Sequence, residues 1–85
     1  MNPHDIYIKQ QVELAITIHK LIQFDYVKQD LEVTKDRLVE PMQIIKKKDG
    51  TITGFSGFDL TKKAPRGFHF NGVQNIKLIN YDKAY

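Results

Sequence analysis

The apolar residues of this chain change period once, at Leu21, and that change fixes the order in which helix and strand can occur. Before it, Ile8, Val12, Ala15, Ile16 and His19 recur at helical spacing, with Lys9, Glu13, Thr17 and Lys20 on the other side. Leu14 and Ile18 widen the apolar stripe. Asn2 is placed to cap the helix, Pro3 takes the first helical position, where a missing N–H costs nothing, and Asp5 supplies the acidic member of a capping box. The spacing therefore predicts an amphipathic helix over about 3–20. A helix this short cannot bury its stripe alone and must lie on whatever follows.

From Leu21 onward Ile22, Phe24 and Tyr26 alternate with Gln23, Asp25 and Val27, the pattern of a half-buried strand. The polar stretch from Lys28 to Lys35 reads as a loop, and a second strand runs from Arg37 to Lys46. Pro41 cannot donate a ladder bond, so it must sit at an edge or a bulge. Asp49-Gly50 between two apolar runs signals a hairpin with a type I′ turn, followed by a third strand over about 51–59. Gly54 and Gly57 within it call for sharp bending or close approach of another backbone or a ligand. Leu60 to Pro65 supplies a turn, Arg66 to Phe70 a fourth strand with Phe68 and Phe70 inward, and Asn71-Gly72 a further turn before a fifth strand carrying Val73, Ile76 and Leu78. The expected class is α+β, mainly β: an N-terminal helix on a small, strongly bent five-stranded antiparallel barrel over about 21–80, of Sm-like or SH3-like type.

Eighty-five residues leave room for one core, and the absence of cysteine removes disulfides, thiolate metal sites and a cysteine nucleophile together. No run approaches the roughly 18 apolar residues of a membrane span, and Met1 to Asp5 lacks the basic-then-apolar order of a signal peptide, so a cytoplasmic protein is expected. Thirteen basic against ten acidic side chains give +3 and permit an anionic partner. Chemistry of bond making is not in view. Ser56, the one serine, has no nucleophile-elbow glycines around it, Gly50, Gly54 and Gly57 precede no helix that would make a phosphate loop, and His4, His19 and His69 show no ligand spacing. No enzyme activity, metal or cofactor is expected.

Leu14-Ala15-Ile16 with Ile22-Gln23-Phe24-Asp25-Tyr26, then Arg37-Leu38-Val39-Glu40-Pro41, then Arg66-Gly67-Phe68-His69-Phe70-Asn71-Gly72-Val73, together resemble the WYL domain in order and spacing, over about 12–79. In that family a helix leads into an apolar strand ending in Tyr, an Arg-x-x-x-Pro segment follows, and an Arg-x-Phe run closes the domain. Thr53-Gly54-Phe55 stand where the eponymous Trp-Tyr-Leu would, and His69, Asn71 and Gly72 occupy positions that are often Arg, Asp and Arg. The resemblance implies an Sm-like barrel that senses an anionic ligand or nucleic acid and regulates an effector. The winged-helix reader that usually precedes such barrels does not fit in this length, which implies a stand-alone copy acting in trans.

Arg37 and Arg66 match family positions, and a guanidinium suits phosphate because its planar fork donates parallel hydrogen bonds. Pairing with Asp36, Glu40 or Asp59 is the structural alternative. His69 stands in the closing motif near Arg66 and supports an anion when protonated. Lys47 and Lys62, each in a lysine cluster, are candidates for phosphate contacts, although a nine-residue strand between the clusters separates them by about 30 Å. Phe55 is a candidate stacking platform, with core packing as the alternative. A competing reading is a protein-interaction module, a small inhibitor or accessory factor of phage or mobile-element character, using an exposed strip or strand edge that also permits a homodimer or higher oligomer.

Overall fold

The computed structural model describes residues 1–80. In chain order it contains α1 (Pro3–Thr17), β1 (Leu21–Val27), β2 (Val33–Lys46), β3 (Ile52–Asp59), β4 (Ala64–His69), a 3-10 turn (Phe70–Gly72) and β5 (Val73–Ile79).

Asn2 caps α1 as its position requires: its backbone is extended and its Oδ1 accepts the Asp5 N–H at 2.8 Å. Asp5 does not return a bond to the cap. Its carboxylate instead faces His4 Nδ1 at 2.9 Å, while His4 Nε2 faces the Val73 carbonyl oxygen at 2.9 Å, tying the helix start to β5. The helix stops at Thr17, three residues short of the periodic pattern. His19 adopts a left-handed φ of 58°, and Lys20 N–H reaches back to the Ala15 carbonyl, the long bond of a Schellman ending. His19 is thus an exposed residue beyond the helix and not part of its stripe.

The strands form one antiparallel sheet in the order β4-β3-β2-β1-β5. The expected class, one helix on five antiparallel strands, is the one observed. The edge strands β4 and β5 are not paired with each other among the described residues, so hydrogen bonding does not close a barrel. β2 lies in the middle of the sheet and still accommodates Pro41, because the register slips between Pro41 and Gln43 where a ladder bond would be missing. Opposite it, Gly57 is required by close approach: a Cβ there would lie 2.5 Å from the Glu40 carbonyl oxygen. Gly54 is required for the same reason, since its Cβ would meet the Phe68 carbonyl oxygen of β4.

Three boundaries differ from the sequence pattern. β2 begins at Val33, since β-branched Val33 and Thr34 pair with Val27 and Tyr26, and the loop shrinks to a turn closed by Lys28 N–H to the Glu32 carbonyl at 2.9 Å. In the β2–β3 turn only Gly50 has positive φ, so Lys47 to Gly50 make a type I turn ending in a left-handed glycine and not a type I′ turn. β4 starts at Ala64, and Phe70 leaves it for the 3-10 turn.

The core joins Ile8, Val12 and Ala15 of α1 to Ile22, Phe24, Val39, Phe55, Phe68, Phe70 and Val73. Phe24 and Phe68 meet edge to face with centroids 5.2 Å apart, a favoured aromatic geometry. Tyr7 and Leu14 of α1 and Ile18 at its C-cap, by contrast, remain 52%, 45% and 45% exposed. Tyr81 and Tyr85, in the polar end of the sequence, lie outside the described residues.

Candidate functional site

Arg37 lies opposite Phe24 in the β1–β2 ladder, so strand alternation turns it toward the core face together with Val39. Asp59, the last residue of β3, lies opposite Val39. Both are buried, at 4% and 0% exposure, and they pair: Arg37 Nη1 donates to Asp59 Oδ2 at 2.8 Å. Arg37 Nε donates to Thr34 Oγ1 at 2.7 Å. The guanidinium carbon sits 5.4 Å from the Phe68 ring centroid and 5.8 Å from that of Tyr26, within cation–π range of both. Asp59 Oδ1 accepts the N–H groups of Thr61 and Lys62 at 2.9 and 3.1 Å, which seats the β3–β4 turn on the ion pair.

A cleft of about 240 Å³ opens beside this pair, lined by Thr34, Lys35, Arg37, Asp59, Thr61 and Lys62. Lys35 Nζ also lies 3.8 Å from Asp25 Oδ2. The Asp25 carboxyl is held below its ordinary pKa, first by the Asn75 side-chain amide, then by the Asp36 N–H, with Lys35 and Lys77 adding to the effect and desolvation opposing it. That carboxylate stays charged and fixes the backbone at Asp36, whose φ of 54° is left-handed, just before Arg37.

A second groove lies elsewhere, across β2, β3 and β4, lined by Ile45, Lys47, Thr53, Gly54, Gly67, Phe68 and His69. Ile45, Gly54 and His69 are register partners, and strand alternation places them on the face opposite Phe55 and Phe68. Lys47 and His69 are exposed; His69 is anchored through its backbone N–H, which donates to the Tyr26 hydroxyl at 3.0 Å.

The structure therefore sorts the six candidate residues into separate places. Arg37 and Lys62 line the first cleft, and Lys47 and His69 line the groove. Arg66 is exposed on β4 opposite Gly57 and lines neither. Phe55 is fully buried in the aromatic core, because β4 on one side and the core rings on the other leave it no surface, so it offers no face to a base. Thr34, Lys35 and Thr61 join the cleft without having stood out in the sequence, where they sit in polar stretches resembling ordinary loops. Among the described residues no cluster of three His, Asp or Glu could hold a metal ion, and no helix is long and apolar enough to cross a membrane.

No family model matches the sequence, and no curated protein matches it. Among solved structures, the proteasome accessory factor B/C (PafBC) of Arthrobacter aurescens superimposes with a TM-score of 0.78 at 22% identity. The match covers 99% of this chain and 13% of that one, so the chain spans a small part of that protein's length. Its fold is WYL-like. At this identity the likeness concerns the fold, and the WYL-like domain takes its functional reading from its own residues.

Proposed function

We propose that this WYL-like domain is a regulatory binding module of the cytoplasm that holds an anionic ligand, or a phosphate of nucleic acid, and transmits occupancy to an effector outside the domain. One observation carries the reading: a buried arginine, fixed by an ion pair, a hydroxyl and two aromatic rings, lines an open cleft whose rim carries two lysines. An arginine so constrained has already lost the side-chain entropy that binding would otherwise cost. Asp59 links the same cluster to the β3–β4 turn, giving occupancy a route to a surface segment. The whole-chain likeness to part of a proteasome accessory factor supports a regulatory context. Fluorescence anisotropy with labelled nucleotides and oligonucleotides at low and physiological salt tests the reading. Binding that weakens steeply with salt is expected, and no binding at low salt contradicts it.

A second reading, a protein-interaction module, is favoured by the exposed apolar residues Tyr7 and Leu14 of α1 and Ile18 at its C-cap. Its test is the mass in solution by sedimentation before and after Leu14→Lys. A dimer dissociated by the substitution supports it, and an unchanged monomer counts against self-association through that face.

A further inference from the structure

Resting on the reading of the Arg37 cleft as an anion site, we infer that the group it takes is a terminal phosphomonoester, borne by a small metabolite or by the end of a nucleic-acid strand, and not the phosphodiester backbone.

Three features of the cleft select that chemistry. Arg37, Lys35 and Lys62 outnumber Asp59 in the lining, and with Lys35 shared with Asp25 the cleft still keeps a net positive charge, which attracts the near-dianion of a phosphomonoester at neutral pH more strongly than the single charge of a diester. Arg37 also keeps a donor to spare. Arg37 Nε and Nη1 are engaged by Thr34 and Asp59, and no buried side-chain nitrogen or oxygen among the described residues lacks a hydrogen-bond partner. Nη2, for which no described residue supplies an acceptor, is therefore the guanidinium nitrogen left accessible, on a residue that lines the cleft together with Thr61 and Lys62. About 240 Å³ is at the small end for a ligand site and fits a phosphate with a short attachment.

A strand lying along the surface would need what this face lacks. Single-strand binders pair a continuous basic groove with aromatic platforms for successive bases. Here Phe24, Phe55, Phe68 and Phe70 are at most 3% exposed, and the Tyr26 hydroxyl is held by the His69 N–H. Lys47 and His69 line a different groove from Lys62, so the cations do not form one track. A terminal phosphate needs neither stacking nor a track.

Amide shifts of the isotope-labelled protein, followed during titration with inorganic phosphate and with one single-stranded oligonucleotide carrying or lacking a 5′-phosphate, test the inference. Saturable shifts at Thr34, Thr61 and Lys62 with phosphate are expected, together with at least tenfold tighter binding of the phosphorylated oligonucleotide. Phosphate binding with neither oligonucleotide bound also supports the inference and assigns the phosphate to a small metabolite. Lys62→Gln, at an exposed position, should weaken phosphate at least fivefold while leaving the spectrum otherwise folded. Equal affinity for the two oligonucleotides overturns the phosphomonoester inference and leaves the anion site standing. No shifts with any probe overturn both.

Discussion

The cleft and the groove are about equally large and are built in opposite ways. The cleft rests on a buried ion pair whose two members sit on β2 and β3 and whose every contact is directional. The groove runs over the glycines of β3 and β4, with Lys47 and His69 exposed at its border. A site of the first kind is rigid and costs stability when altered. A site of the second kind tolerates side-chain change and is constrained only where backbones touch.

The largest difference between them should appear in stability. Asp59→Ala leaves the Arg37 guanidinium buried without its counter-charge and should cost about 3–5 kcal/mol in chemical denaturation. Lys47→Ala in the groove should fall within about 0.5 kcal/mol of wild type. Similar losses for both would abolish the distinction.

Within the groove, the two glycines should separate. Gly54→Ala forces its Cβ against the Phe68 carbonyl and should destabilise by about 1–3 kcal/mol. At Gly67 the nearest atom to an added Cβ is Ile45 Cδ1, at an ordinary 3.7 Å, so Gly67→Ala should be neutral or slightly stabilising, because alanine restricts the unfolded chain more. Paired melting curves check this.

A smaller, pH-dependent effect separates two groups that both bond to β5, His4 of α1 and Asp25 of β1. The His4 pKa is raised above its ordinary 6.5, chiefly by the Asp5 carboxylate, with the Val73 carbonyl adding to it and desolvation opposing. A raised value means that the folded state binds the proton more tightly. Its contribution is complete below the unfolded value and is lost as pH rises through the folded one. Asp25, next to the cleft, has the opposite sign: its lowered pKa gives a contribution that is complete above the ordinary 3.8 and lost as pH falls through the folded value. Proton-detected titration of the His4 ring should give a midpoint above 6.5, and a midpoint at or below it contradicts the docking of α1 onto β5 through this ring.

Much of the architecture was legible from local chemistry. The period change at Leu21, the Asn2 cap, the glycine demands at positions 54 and 57 and the bulge at Pro41 are all properties of a residue and its near neighbours. What could not be read depends on register. Asp36, Glu40 and Asp59 were equivalent partners for Arg37 by sequence, and only the β2–β3 ladder, which sets Val39 against Asp59, chooses among them. The burial of Phe55 was not decided by the glycines around it, which allow close approach of either a backbone or a ligand, and it is the backbone of β4 that closes over. Val33 and Thr34 were hidden by their charged neighbours and entered β2 because β1 offered partners. His19 looked helical by spacing, and the Schellman ending removed it.

The most direct test of the central claim compares the two concavities by isothermal titration of a nucleoside monophosphate into wild type, Lys62→Gln and Lys47→Gln. One site per chain is expected, weakened at least fivefold by the change at Lys62 in the cleft and little altered by the change at Lys47 in the groove. Loss of binding with Lys47→Gln and not with Lys62→Gln would place the ligand in the groove and contradict the account.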